Sequence, residues 1–72
     1  MSTMLRLSGK VSHWNYARGF GFVQTADEHE LVLNIADWVE TDMPRVGDRV
    51  SFVERQDRSG RPCARSVMLA TI

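Results

Sequence analysis

Apolar and polar residues alternate at the start of the chain. Leu5, Leu7, Gly9 and Val11 fall on one face, and Arg6, Ser8, Lys10 and Ser12 on the other. A period of two is the pattern of a half-buried strand. Continuing it sets Trp14 on the polar face with Lys10 and Ser12. Asn15-Tyr16-Ala17-Arg18 then reads as a short turn, making a hairpin with a second strand around Arg18-Gly19-Phe20-Gly21-Phe22-Val23. There Phe20 and Phe22 share one surface, while Gly19, Gly21 and Val23 take the other. Glycine packs nothing and is costly inside a strand, so its repetition predicts a close backbone approach on that side.

A polar loop, Ala26 to Glu30, precedes a third strand, Leu31-Val32-Leu33-Asn34-Ile35, with Leu31 and Leu33 on one face and Val32 and Asn34 on the other. The stretch from Ala36 to Val46 has no period. Pro44 limits any helix, which leaves room only for a short helical turn near Ala36-Asp37-Trp38. Arg49 to Glu54 reads as a fourth strand with Val50 and Phe52 inward, and Asp57-Arg58-Ser59-Gly60 as a turn. A fifth strand runs from beyond Pro62 to about Leu69. Cys63, Val67 and Leu69 make its apolar set, with Arg65 falling among them, a conflict that a bulge would resolve. Five short strands without a helix or a repeat predict a small all-β barrel.

Length narrows this further. At 72 residues the chain reads as a single domain, 1–72, with residues 1–4 a loose terminus. A domain of this size buries only about 60% of the surface its unfolded chain exposes, which leaves no room for a separate catalytic cleft. Nine basic residues balance nine acidic ones, so any attraction to phosphate must be local. Cys63 is the only cysteine, which rules out an intrachain disulfide or a CxxC metal site and fits a reducing compartment. Its expected role is that of a small buried hydrophobe. The N-terminal residues lack the apolar run of a signal peptide, and no stretch approaches the ~20 apolar residues of a membrane span. The expectation is a cytoplasmic, monomeric protein without a membrane partner.

Catalysis finds little support. His13 and His29 lie far apart, with no cysteine or carboxylate at a ligand spacing. There is no G-x-S-x-G element and no phosphate loop. Asp27, Glu28 and Glu30 read as a solvated loop. No enzyme activity, metal or cofactor is expected. Two rings in register beside Arg18 instead offer a surface on which bases stack. Phenylalanine is also common in cores, but the leucines and valines of the first and third strands can fill a barrel without Phe20 or Phe22. If the second strand lies between those two, the rings sit mid-surface, flanked by Lys10, Ser12 and Trp14 on one side and Val32 and Asn34 on the other.

The run Gly9-Lys10-Val11-Ser12-His13-Trp14-Asn15, continuing through Arg18-Gly19-Phe20-Gly21-Phe22-Val23, resembles the opening of bacterial cold-shock proteins, G-x-V-K-W-F-N-x-x-K-G-F-G-F-I. Val46-Gly47-Asp48-Arg49-Val50-Ser51-Phe52 is similar to their E-G-x-x-V-x-F, and Arg61-Pro62-Cys63-Ala64-Arg65-Ser66-Val67 to their G-P-x-A-x-N-V. The resemblance spans roughly residues 7–70. It implies a five-stranded antiparallel OB-type barrel that binds single-stranded RNA or DNA on its second and third strands. Position by position, Phe20 and Phe22 match the stacking phenylalanines, Trp14 the phenylalanine after the family's tryptophan, Asn15 its asparagine, and Arg18 the lysine near the nucleic-acid backbone.

The departures weaken the expected binding. His13 stands where the family has tryptophan, and Ser12 where it has lysine. The second motif, V-F-V-H-F, becomes Leu31 to Ile35, so that Val32, Asn34 and Ile35 replace two phenylalanines and a histidine. His13, Trp14 and Arg58 or Arg61 could recover part of the loss. Trp38 falls where the family has an aliphatic residue and is expected to plug a barrel end. Two readings follow: a divergent RNA-chaperone-like domain that binds single strands weakly, or a barrel whose apolar outer face (Trp14, Phe20, Phe22, Val32, Ile35) docks a protein.

Overall fold

A computed structural model describes residues 6–70. The expected loose terminus and Leu5 lie outside the described residues. The strands are β1 (Leu7–Asn15), β2 (Phe20–Thr25), β3 (Glu30–Asn34), β4 (Arg49–Gln56) and β5 (Pro62–Leu69). They close into a barrel in the order β1-β2-β3-β5-β4. β2 therefore lies between β1 and β3, the arrangement on which the ring platform depends.

The all-β barrel agrees with the alternation, but its strands are not all antiparallel. β3 and β5 run parallel, with Val32 opposite Cys63 and Leu33 opposite Ala64. A parallel pair cannot be joined by a hairpin and needs a crossover. Here β4 and the irregular stretch before it supply one, and no local pattern in the sequence records that pairing.

The core is aliphatic with one enclosed phenylalanine. Val11, Val23, Leu31, Leu33, Val50, Phe52, Ala64 and Val67 are almost wholly buried. Trp38 joins this cluster at 8% exposure, bridged in parallel to Val67. Its indole Nε1 donates to the Asp42 carbonyl at 2.5 Å, so the ring is both packed and satisfied. The conflict on β5 is resolved by a bulge. The β4–β5 register shifts between Ser51 and Val53, and Ser66 takes a positive φ of 51°. The extra residue lets Ala64 and Val67 both face inward while Arg65 and Ser66 stay exposed.

The third strand ends one residue earlier than its apolar pattern implies. Asn34 caps a 3-10 turn, Ile35–Asp37, its side-chain oxygen accepting from the Ala36 backbone N–H at 2.9 Å. Ile35 therefore belongs to the turn rather than to β3, and its backbone N–H donates to the Gly19 carbonyl at 2.9 Å. Among the described residues no helix is long and apolar enough to cross a membrane.

Candidate nucleic-acid interface

Residues paired across neighbouring strands project to the same side of a sheet. The registers of β1 with β2 and of β2 with β3 therefore define rows on the outer surface. One is Asn15–Phe20–Asn34, the next His13–Phe22–Val32, and the third Lys10–Gln24–Glu30. Between them the inward rows are Trp14–Gly21–Leu33 and Val11–Val23–Leu31. Phe20 is 36% exposed, whereas Val23 is fully buried.

The outward turn of the rings depends on Gly21. A Cβ built there would fall 1.9 Å from the His13 carbonyl oxygen, so β1 passes too close for any side chain. Here the strand-internal glycine marks the close backbone approach that the sequence implies. Gly19 has a different reason: its φ of +71° belongs to the left-handed region that closes the turn after Asn15.

Trp14 is not on this surface, which corrects the alternation of β1. The register shifts between Val11 and His13, so Ser12 is an extra residue in a bulge. The bulge reverses the phase: His13 turns outward opposite Phe22, and Trp14 turns inward opposite Gly21. Trp14 packs against the core cluster, with its indole N–H buried and lacking a partner among the described residues. In its place the His13 imidazole meets the Phe22 ring edge-on, with centroids 5.9 Å apart and planes at 89°. Ser12 Oγ lies 3.3 Å from the Phe22 carbonyl, to which it donates, and 3.4 Å from a Glu30 carboxylate oxygen.

The polar groups around Phe20 are oriented by the backbone. The Asn15 side-chain oxygen accepts from the Arg18 N–H at 3.1 Å, as that of Asn34 does from Ala36. A backbone N–H can be met only by the amide oxygen, so both NH2 ends are left as donors. Phe20 is thus flanked by two amide donors suited to the carbonyl groups of a stacked base. Arg18 is exposed in the turn beside this row, and Ile35 packs near Gly19 at the same end.

Arg58 and Arg61 lie off the three rows, in the β4–β5 turn. Asp57 organises that turn by accepting from the backbone N–H groups of Ser59 and Arg61 and from the Ser59 hydroxyl. These bonds, led by the Ser59 hydroxyl, hold the Asp57 carboxyl below its ordinary range. In the β2–β3 loop Asp27 is held low chiefly by the Thr25 hydroxyl. Cys63 is buried as expected, although next to the outer side of Val32 rather than in the main cluster. Its Sγ lies 3.5 Å from Arg65 Nε, which together with Asp37 keeps the guanidinium pKa raised. Among the described residues no group of three or more His, Cys, Asp or Glu side chains could hold a metal ion.

Two members of the surface were not singled out from the sequence. Gln24 and Glu30 are ordinary polar residues at strand ends, and only the register shows that they continue the ring surface. Glu30 places a carboxylate in the same outward row as Lys10.

No family model matches the chain, and no curated protein matches it by sequence. Among solved structures, the Drosophila chain described as Unr CSD456 matches with a TM-score of 0.78 at 22% sequence identity. The match covers 93% of this chain and 27% of that one. At this identity the likeness shows the fold, a cold-shock-domain barrel of OB type.

Proposed function

We propose that this chain binds single-stranded RNA or DNA on the outer surface of β1, β2 and β3. Bases stack on Phe20 and Phe22, and His13 extends the platform across β1. The observation that carries this reading is the inversion of β2, whose small residues face the core and whose rings face solvent. Exposed rings are otherwise unfavourable in water, and every base has a face on which such a ring can stack. Arg18 and Lys10 supply local positive charge, and the amides of Asn15 and Asn34 supply donors to base carbonyls.

The same surface sets the expected strength. Val32 offers no ring beside Phe22, Glu30 repels phosphate, and the chain has no net charge. Binding is therefore weaker than in a cold-shock protein with its full aromatic set. Weak capture of unpaired bases suits an RNA chaperone, which must release what it melts. The protein-docking alternative loses ground, because the inward turn of Trp14 removes its largest apolar contributor.

The test is a titration of the isotope-labelled protein with an oligothymidine octamer and with a duplex of equal length. Amide shifts at His13, Phe20, Phe22, Val32 and Asn34 with the single strand alone support the reading. Absence of shifts at these positions overturns it.

A further inference from the structure

The third outward row does not stop at β1. Lys10 is paired with Gln24 on one side and with Arg49 of β4 on the other. Two cations thus stand directly opposite each other, both exposed, at the edge of the ring surface. Like charges in facing positions destabilise a sheet. No ion pair relieves either of them among the described residues, where the only pairs are His29–Asp27 and Arg65–Asp37. Both side chains also line an open groove of about 450 Å³ with Gly9, Gln24, Thr25 and Glu28. Among the described residues Glu28 is the groove's one carboxylate, so the balance of those residues is positive.

Position gives this pair a direction. Phe20, Phe22 and Gln24 are successive outward residues of β2, spaced about 6.6 Å apart, a step that an extended nucleotide can span. A strand stacked on Phe20 and then on Phe22 next reaches the row of Gln24, Lys10 and Arg49. Toward β3 that row ends on Glu30, which repels phosphate, so the favourable exit is toward β4.

Resting on the single-strand reading, we propose that Lys10 and Arg49 together hold a backbone phosphate of a strand leaving the Phe22 platform, carrying the binding path across β1 onto β4. The free protein bears the repulsion of the unoccupied pair, and the phosphate removes it. Stability and binding should therefore respond to Arg49 in opposite directions.

The test compares wild type with Arg49→Glu, using a thymidine trinucleotide and an octamer over a series of salt concentrations, alongside thermal unfolding. Three results are expected. The variant unfolds at a higher temperature, because Lys10 gains an opposite charge across the ladder. It binds the trinucleotide, which occupies only the rings, as wild type does. It binds the octamer about tenfold more weakly, with the logarithmic salt slope shallower by roughly 0.7 to 1.4, the release expected for one or two single-strand phosphate contacts. Equal losses for both oligonucleotides would reveal a general charge effect and overturn the proposal. An unchanged octamer affinity overturns it too, while leaving the ring platform standing. If wild type binds neither oligonucleotide, the single-strand reading itself falls, and this site with it.

Discussion

β2 and β4 each carry phenylalanine in an alternating strand of the same barrel, yet they use it in opposite ways. Phe52 on β4 is fully enclosed, while Phe20 on β2 is 36% exposed and Phe22 is half-buried beside it. The residue type does not decide this. On β4 the neighbours of Phe52 in phase are Val50 and the barrel interior. On β2 the inward positions are taken by Gly21 and Val23, and β1 lies so close to Gly21 that no larger residue fits. A strand that turns its small residues inward and its rings outward gives up core packing for an apolar surface. That exchange is what the proposed function explains.

The largest expected effect tests the inward half of this contrast. Phe52→Ala should cost about 3–5 kcal/mol of folding stability, as for an enclosed ring, measured by urea unfolding. Loss of under 1 kcal/mol would mean that Phe52 does not hold the core. Gly21→Ala should be comparably severe, since the added methyl group meets backbone rather than a movable side chain.

The outward half is sharpened by adding a ring. Val32→Phe places one opposite Phe22 without touching the Asn34 cap or the Ile35 turn. It should tighten oligothymidine binding by about 1 kcal/mol, the lower end for base–aromatic stacking, or roughly fivefold. Unchanged affinity in a folded variant would show that missing aromatics do not limit binding.

Trp14→Phe probes the strand that changes phase. It removes a buried N–H lacking a partner among the described residues, a gain that offsets part of the packing lost with the smaller ring. Stability should move by less than about 1 kcal/mol, and oligonucleotide affinity should not change. A clear loss of binding would return Trp14 to the interface.

The smallest effect is the acid response of the β4–β5 turn. Asp57 has a lower pKa folded than unfolded, so its ionised form favours the fold. That contribution is present above the unfolded value, near 3.9, and is lost as pH falls through the folded value. The carboxylate is exposed, so the change is slight. Asp57→Asn should narrow the difference between thermal midpoints at pH 7 and pH 3.

What the sequence disclosed follows from which contacts are local. Alternation around Val11, Val23, Leu31, Leu33, Val50 and Phe52 identified the strands and most of the core, because period two is written directly into neighbouring residues. The outward phase of Phe20 and Phe22 was legible for the same reason, aided by Gly21. The bulge at Ser12 was not, since an inserted residue leaves an ordinary polar position and only the shifted pairing with β2 reveals it. The conflict around Arg65 did announce the other bulge, because there the apolar pattern itself broke. The parallel pairing of β3 with β5 and the antiparallel pairing of Lys10 with Arg49 join residues about 30 and 39 positions apart, beyond any local pattern.

The measurement that bears most directly on the inverted strand is a paired one on Phe22→Ala, recording oligothymidine affinity and urea unfolding on the same preparation. The ring should contribute to binding rather than to the core. Affinity should fall by about 1–3 kcal/mol, as for a stacked base, while folding loses much less than the ~3–5 kcal/mol of a core phenylalanine. A variant that unfolds with the cost of Phe52→Ala, or one that stays folded and binds as tightly as wild type, would contradict the account.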